Sequence, residues 1–156
     1  MPPIDVVAPK EQPIPPPTLQ SRFTILPGVP FPLGATVVEG GVNFAVYAER
    51  GQRAFVCLFD AKDPAREVAR YELFERTAHV FHGLVPRVQP GALYGFRVDG
   101  PFDPLQGLRF NVNKLLIDPY ARALYGHIDF QGPIYGYPIG HADADLAFST
   151  EDDAAY

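Results

Sequence analysis

Residues 41–60 read GVNFAVYAERGQRAFVCLFD, and two apolar stretches within them decide the fold. In the first, Val42, Phe44 and Val46 alternate with Asn43, Ala45 and Tyr47, the period of two by which a half-buried β-strand presents one apolar face. In the second, Ala54 to Phe59 is apolar at every position, as in a central strand covered on both faces, and Asp60 begins its exit. Neighbouring strands with such different coverage predict a packed β-sheet protein.

The texture continues downstream. Ala69, Tyr71 and Leu73 alternate with Val68, Arg70 and Glu72, and Val80, Phe81, Leu84 and Val85 form a further strand that Pro86 ends. Pro90-Gly91 signals a turn, after which Leu93 to Val98 reads as the last of five strands, closed by Asp99-Gly100-Pro101. Short apolar runs divided by Gly, Pro, Asn and Asp at this close spacing predict an antiparallel sandwich. No long amphipathic helix is present; the best candidate, Asn113 to Leu124, is interrupted by Pro119, so irregular structure or one short turn is expected there.

The flanks differ from this centre. Ten of the 18 prolines precede Leu33, and proline fixes φ and removes a backbone donor, so residues 1–22 read as a flexible, Pro-rich lead-in. Residues 23–125 read as the sandwich. Residues 126–156, with Gly132, Pro133, Gly136 and Pro138 followed by Asp143, Asp145, Glu151, Asp152 and Asp153, read as an irregular connector ending in an exposed acidic tail.

Composition excludes several functions. With 156 residues, 47% hydrophobic and 20% charged, the chain has the size and apolar content of one folded domain. A net charge of −5 argues against nucleic-acid or anionic-membrane partners. Cys57 is the single cysteine, which rules out an intrachain disulfide and a thiolate-rich zinc site. The N-terminus lacks a basic start and a hydrophobic run, and no apolar stretch reaches membrane-spanning length, so a cytoplasmic location is expected.

Candidate chemistry is sparse. His79 and His82 would share a face only on a helix, and Val80-Phe81 between them favours a strand, so a hydrogen-bonded surface role outweighs a metal role. His127 and His141 lie in glycine-rich loops. Paired carboxylates can cleave glycosides only when a rigid scaffold sets their separation, which the acidic tail does not offer. Asp99 and Asp103 sit in a Gly-Pro turn, where aspartate commonly caps its own backbone. Cys57, inside an apolar run, reads as buried and inert. No nucleophile triad, phosphate loop or dinucleotide motif is found, and no cofactor is expected. What remains is aromatic content, 12 Phe and 8 Tyr without Trp. Phe81, Tyr94, Phe102 and Phe110 could stack on sugar rings, although core packing is the weightier expectation for each.

The order of motifs resembles the isoamylase-type glycogen debranching enzymes. Three runs carry it first: Pro27-Gly28 through Pro32-Leu33-Gly34-Ala35-Thr36, then Gly41-Val42-Asn43-Phe44-Ala45-Val46, then Val56-Cys57-Leu58-Phe59-Asp60. Three more follow in order: Tyr94-Gly95-Phe96-Arg97-Val98-Asp99-Gly100-Pro101-Phe102-Asp103-Pro104, Gly107-Leu108-Arg109-Phe110-Asn111 and Asn113-Lys114-Leu115-Leu116-Ile117-Asp118-Pro119-Tyr120-Ala121-Arg122. The family often has Trp where this chain has Phe81, and His where it has Leu108.

The resemblance implies an all-β, immunoglobulin-like sandwich, a carbohydrate-binding module of family 48. In the family it stands ahead of a glycoside hydrolase family 13 barrel that cleaves α-1,6 branch points. Such a barrel takes about 250 residues, so the catalytic carboxylates would have no counterpart in this chain. Two functions from different classes follow. A glucan-binding module would use Phe81, Tyr94, Phe102, Arg97, Arg109, Asn111 and Lys114 toward α-glucan such as glycogen or maltooligosaccharides. A structural module would shield and orient the catalytic barrel, in cis or in trans, through apolar surface around Phe102, Phe110 and Leu115 to Tyr120. An immunoglobulin-like adhesion domain is a third, weaker reading.

Overall fold

The computed structural model describes residues 24–155. The lead-in expected over residues 1–22 lies outside the described residues. Nine strands form among the described residues: β1 (Gly34–Val38), β2 (Gly41–Tyr47), β3 (Arg53–Phe59), β4 (Glu67–Glu72), β5 (Glu75–Thr77), β6 (Val80–Pro86), β7 (Leu93–Asp99), β8 (Phe102–Asp103) and β9 (Leu108–Arg109). All pairings are antiparallel: one sheet has the order β1-β2-β6-β5, a second has β4-β3-β7, and β8-β9 is a short ribbon.

The period-two pattern explains how the two larger sheets pack. Val42 and Phe44 of β2 and Phe81 and Val85 of β6 join Ala54 and Val56 of β3, Tyr71 of β4, and Phe96 and Val98 of β7 in one core. Registers agree: Val42 stands opposite Val85, and Val56 lies between Tyr71 and Phe96. Phe44, Tyr94 and Phe96 meet edge to face at centroid separations of 5.2 to 6.3 Å, so their rings interlock at the centre. This is the immunoglobulin-like sandwich expected from the sequence.

The short β8-β9 ribbon lies outside the five proposed strands, and four further features differ from the expectation. Strand β1 was absent from the five proposed, because its Val37 and Val38 are exposed and leave no apolar alternation. The three residues of β5 are too short for a period to register. Strand β2 is covered on both faces along most of its length, since Asn43 and Ala45 are buried too. The cause is the segment before β1: Leu26 bridges to Leu84, and Asn43 accepts from the Val29 N–H at 2.8 Å and donates to the Val29 carbonyl at 2.9 Å. His82, expected at the surface, is buried; its Nε2 shares a 2.8 Å hydrogen bond with Thr77 Oγ1, and its Nδ1 lies 3.4 Å from Glu75 Oε2.

Helical structure among the described residues amounts to two 3₁₀ turns, Pro104–Gln106 and Ala144–Leu146, and Asn113 to Leu124 is irregular as expected. Cys57 is fully buried on β3, and loss of hydration pushes its thiol up to about 12.

Candidate functional site

Alternation along β7 sends Tyr94, Phe96 and Val98 into the core and Arg97 to the opposite face of the β4-β3-β7 sheet. Arg97 is nonetheless completely buried, because the chain returns over it. One amino group donates to the Val112 carbonyl at 3.1 Å, and Nη2 donates to Asp152 Oδ1 at 2.8 Å. Its Nε lies 3.8 Å from Glu67 Oε2 without forming a hydrogen bond. Beside it, the loop after β9 runs along the edge of β7, where Phe96 and Leu116 exchange backbone hydrogen bonds of 2.9 and 2.7 Å.

Two polar side chains of that loop hold further returning segments. Asn111 donates through Nδ2 to the carbonyls of Ser149 at 2.8 Å and Gly136 at 3.3 Å, and its Oδ1 accepts from the Asn113 N–H. Lys114 Nζ donates to the Glu151 carbonyl at 2.8 Å and to the Pro133 carbonyl. Burial lowers the Lys114 pKa against the opposing pull of Asp153, Glu151 and Asp152. Asp153 in turn accepts the Leu115 N–H at 2.7 Å, and burial outweighs that bond, raising its carboxyl above the usual range.

Five of the seven side chains nominated for carbohydrate therefore converge, but on the chain itself. Arg97 meets Asp152, Asn111 meets Ser149, and Lys114 meets Glu151, while Phe102 meets the Phe148 ring edge to face at 5.0 Å. Arg109 is exposed and donates to the Asp145 carboxylate at 2.6 Å and its carbonyl at 2.7 Å. The other two point elsewhere. Phe81 is a core residue, with the Arg76 guanidinium 4.8 Å from its ring. Tyr94 is half-buried and donates its hydroxyl to Asp118 Oδ2 at 2.6 Å; burial, then that bond, raises its pKa. The donors of Arg97, Asn111 and Lys114 thus do not face an open cleft. The exposed acidic tail needs the same correction: Asp143, Asp145, Glu151 and Asp152 are exposed, but Asp152 is ion-paired, and Ser149 and Asp153 are buried.

Sequence reasoning missed Ser149, Asp152 and Asp153 as partners, since an isolated carboxylate in an irregular segment carries no periodic signal. Asp-Pro-Tyr-Ala reads as a turn, and Asp118 Oδ1 does accept the Tyr120 N–H at 2.8 Å, but its bond to the Tyr94 hydroxyl was missed.

The open surface is of another kind. Between these anchors the chain exposes a run of large apolar side chains: Leu116, Ile117, Tyr120, Leu124, Tyr125 and Phe130, with Leu124 at 73% and Tyr125 at 71%. The expected exposure at Leu115 to Tyr120 is found at Leu116, Ile117 and Tyr120, whereas Phe102 and Phe110 are partly buried. A separate pocket of about 190 Å³ lies on the far sheet, lined by Ile25, Leu26, Pro27, Phe74, Glu75, His82 and Gly83. No group of three or more His, Cys, Asp or Glu among the described residues could hold a metal ion.

The chain is 50% identical over 101 residues to a glycogen debranching enzyme of Pectobacterium carotovorum, covering 65% of this chain and 15% of that protein. It is 39% identical over 122 residues to a glycogen operon protein GlgX homolog of Mycobacterium tuberculosis, covering 78% of this chain and 16% of that one. A Paenibacillus barengoltzii pullulanase, solved with maltohexaose and alpha-cyclodextrin, superposes with a TM-score of 0.49 at 22% identity, over 60% of this chain and 13% of its own. The chain thus spans only about a sixth of the length of the relatives it matches. Residues 32–121, more than half of the chain, match the model of carbohydrate-binding module 48, and the chain belongs to this isoamylase N-terminal domain family.

Proposed function

We propose that this chain is the non-catalytic N-terminal module of a cytoplasmic glycogen debranching enzyme, and that its work is to dock against and orient the catalytic barrel that hydrolyses α-1,6 branches. The observation that carries this reading is the exposed apolar run from Leu116 to Phe130. So many exposed large apolar side chains on one short segment suit a surface that meets another protein. It lies on a loop pinned at both ends, at Phe96 and Tyr94 on one side and at Asn111 and Lys114 on the other. An extended apolar run on a fixed support suits a flat protein interface better than a mobile ligand loop.

The alternative is an α-glucan-binding module, the reading that the family's name and the relatives' role in glycogen metabolism support. Titrating the chain with maltoheptaose and glycogen while following backbone amide shifts separates the two. The docking reading expects no localised shift at millimolar maltoheptaose. Saturable shifts confined to Tyr94, Phe102 or Arg109 would replace it with a glucan-binding module.

A further inference from the structure

We infer that Asn111 and Lys114 are positioning residues that lock the 133–136 segment, where the apolar docking run ends, and the strap of residues 149–153 into one rigid block, so that neither moves without the other. This deepens the docking reading and rests on it.

The argument is the geometry of a three-way junction. Lys114 Nζ donates to the Pro133 and Glu151 carbonyls, and Asn111 Nδ2 donates to Gly136 and Ser149. Each side chain therefore grips one residue of the 133–136 segment and one of the strap. Ser149 N–H closes the triangle by donating to the Gly136 carbonyl at 2.9 Å. The strap is then fastened again by Asp152 to Arg97 and by Asp153 to the Leu115 N–H.

Both side chains are buried, with the Asn111 and Lys114 residues each 6% exposed, so neither is free to touch a partner. Their donors are satisfied by carbonyls that a regular sheet or helix would have used internally. Irregular backbone returning over a sheet must find such partners or bury its polar groups unpaired. Here two side chains supply them to two segments at once. A partner that docks on the apolar run thereby meets a support already fixed together with the strap, and pre-organisation of this sort lowers the entropic cost of docking.

Hydrogen exchange on the whole chain tests the inference, with Lys114→Met and Asn111→Ala as the variants. In either one, the amides of Ile134, Ser149 and Leu115 should exchange faster together, by about tenfold or more, while Val56 in β3 and Phe44 in β2 keep their protection. Lys114→Arg, which keeps a multi-donor cation, should restore part of the protection. Acceleration of one segment alone would overturn the inference, because the segments would then be held independently. Equal acceleration of Val56 and Phe44, or failure of both variants to fold, would also overturn it, because the junction would then be inseparable from the core. The docking reading fails separately: saturable glucan shifts would remove it while leaving the exchange result standing.

Discussion

Arg97 Nη2 and Asp152 Oδ1 lie 2.8 Å apart although 55 residues separate them in the chain. The arginine is wholly buried and the carboxylate is half exposed. Removing the carboxylate leaves a buried cation whose remaining neighbours are the Val112 carbonyl, Glu67 at 3.8 Å and the charge of Asp153. Asp152→Ala should therefore cost about 1–2 kcal/mol, below the usual cost of breaking a buried pair because Asp152 is partly hydrated. Urea denaturation measures it, and an unchanged midpoint would show that this ion pair contributes nothing to folding.

Asp153 gives a pH dependence with a definite sign. Burial raises its carboxyl pKa in the folded chain, so the folded state binds its proton more tightly than the unfolded state does. Its contribution to stability therefore grows as pH falls through the range just above the ordinary carboxylate values, and is lost as pH rises through it. Asp153→Asn keeps the Oδ1 acceptor for the Leu115 N–H and removes the buried charge. Its melting temperature at pH 7 should rise by roughly 1–3 °C, and the gain should shrink on acidification. A lower melting temperature at pH 7 would mean that attraction to Lys114 and Arg97 outweighs burial.

Cys57 should be invisible to thiol reagents in the folded chain. With its thiol pushed up to about 12 and its side chain fully buried, the thiolate fraction at pH 8 is negligible. Labelling by an aromatic disulfide reagent should follow unfolding, rising through the same urea transition that circular dichroism reports. Stoichiometric labelling without denaturant would contradict the covered face seen on β3.

Two glycines mark where the segment before β1 crosses β6. A Cβ on Gly28 would lie 2.7 Å from the Gly83 backbone and 2.5 Å from Asn43 Oδ1, whereas one on Gly83 would meet the mobile end of Ile25 at 2.5 Å. Backbone yields less readily than a terminal methyl. Gly28→Ala should thus destabilise by about 2–3 kcal/mol and Gly83→Ala by about 1 kcal/mol, both by overpacking. Comparing their urea midpoints tests the order, and equal midpoints would refute it.

The core was legible in the sequence because it obeys a period. Val42 and Phe44, and Tyr71 and Leu73, fall on the faces that alternation assigned to them, and Phe96 and Val98 lie on the segment read as the last strand. Strands β1 and β5 were not, since exposed Val37 and Val38 and a three-residue segment break no symmetry in the pattern. The site was half legible. Arg97, Asn111 and Lys114 stood out as polar side chains in an aromatic context, but their partners lie in residues 133–153, whose return over the sheet no local pattern encodes. Long-range pairing between irregular segments is set by tertiary packing, so a carboxylate such as Asp152 reads as solvated until the fold is known.

The central claim, that the exposed apolar run docks a catalytic domain, is tested most directly by co-expression. The Pectobacterium carotovorum debranching enzyme, stripped of the segment this chain matches, would be produced together with this chain, either wild type or carrying Leu124→Asp and Tyr125→Asp. The account predicts that the wild-type chain co-migrates with the truncated enzyme on size exclusion and that the double variant, itself folded, does not. Co-migration of both chains to the same extent, or of neither, would contradict it.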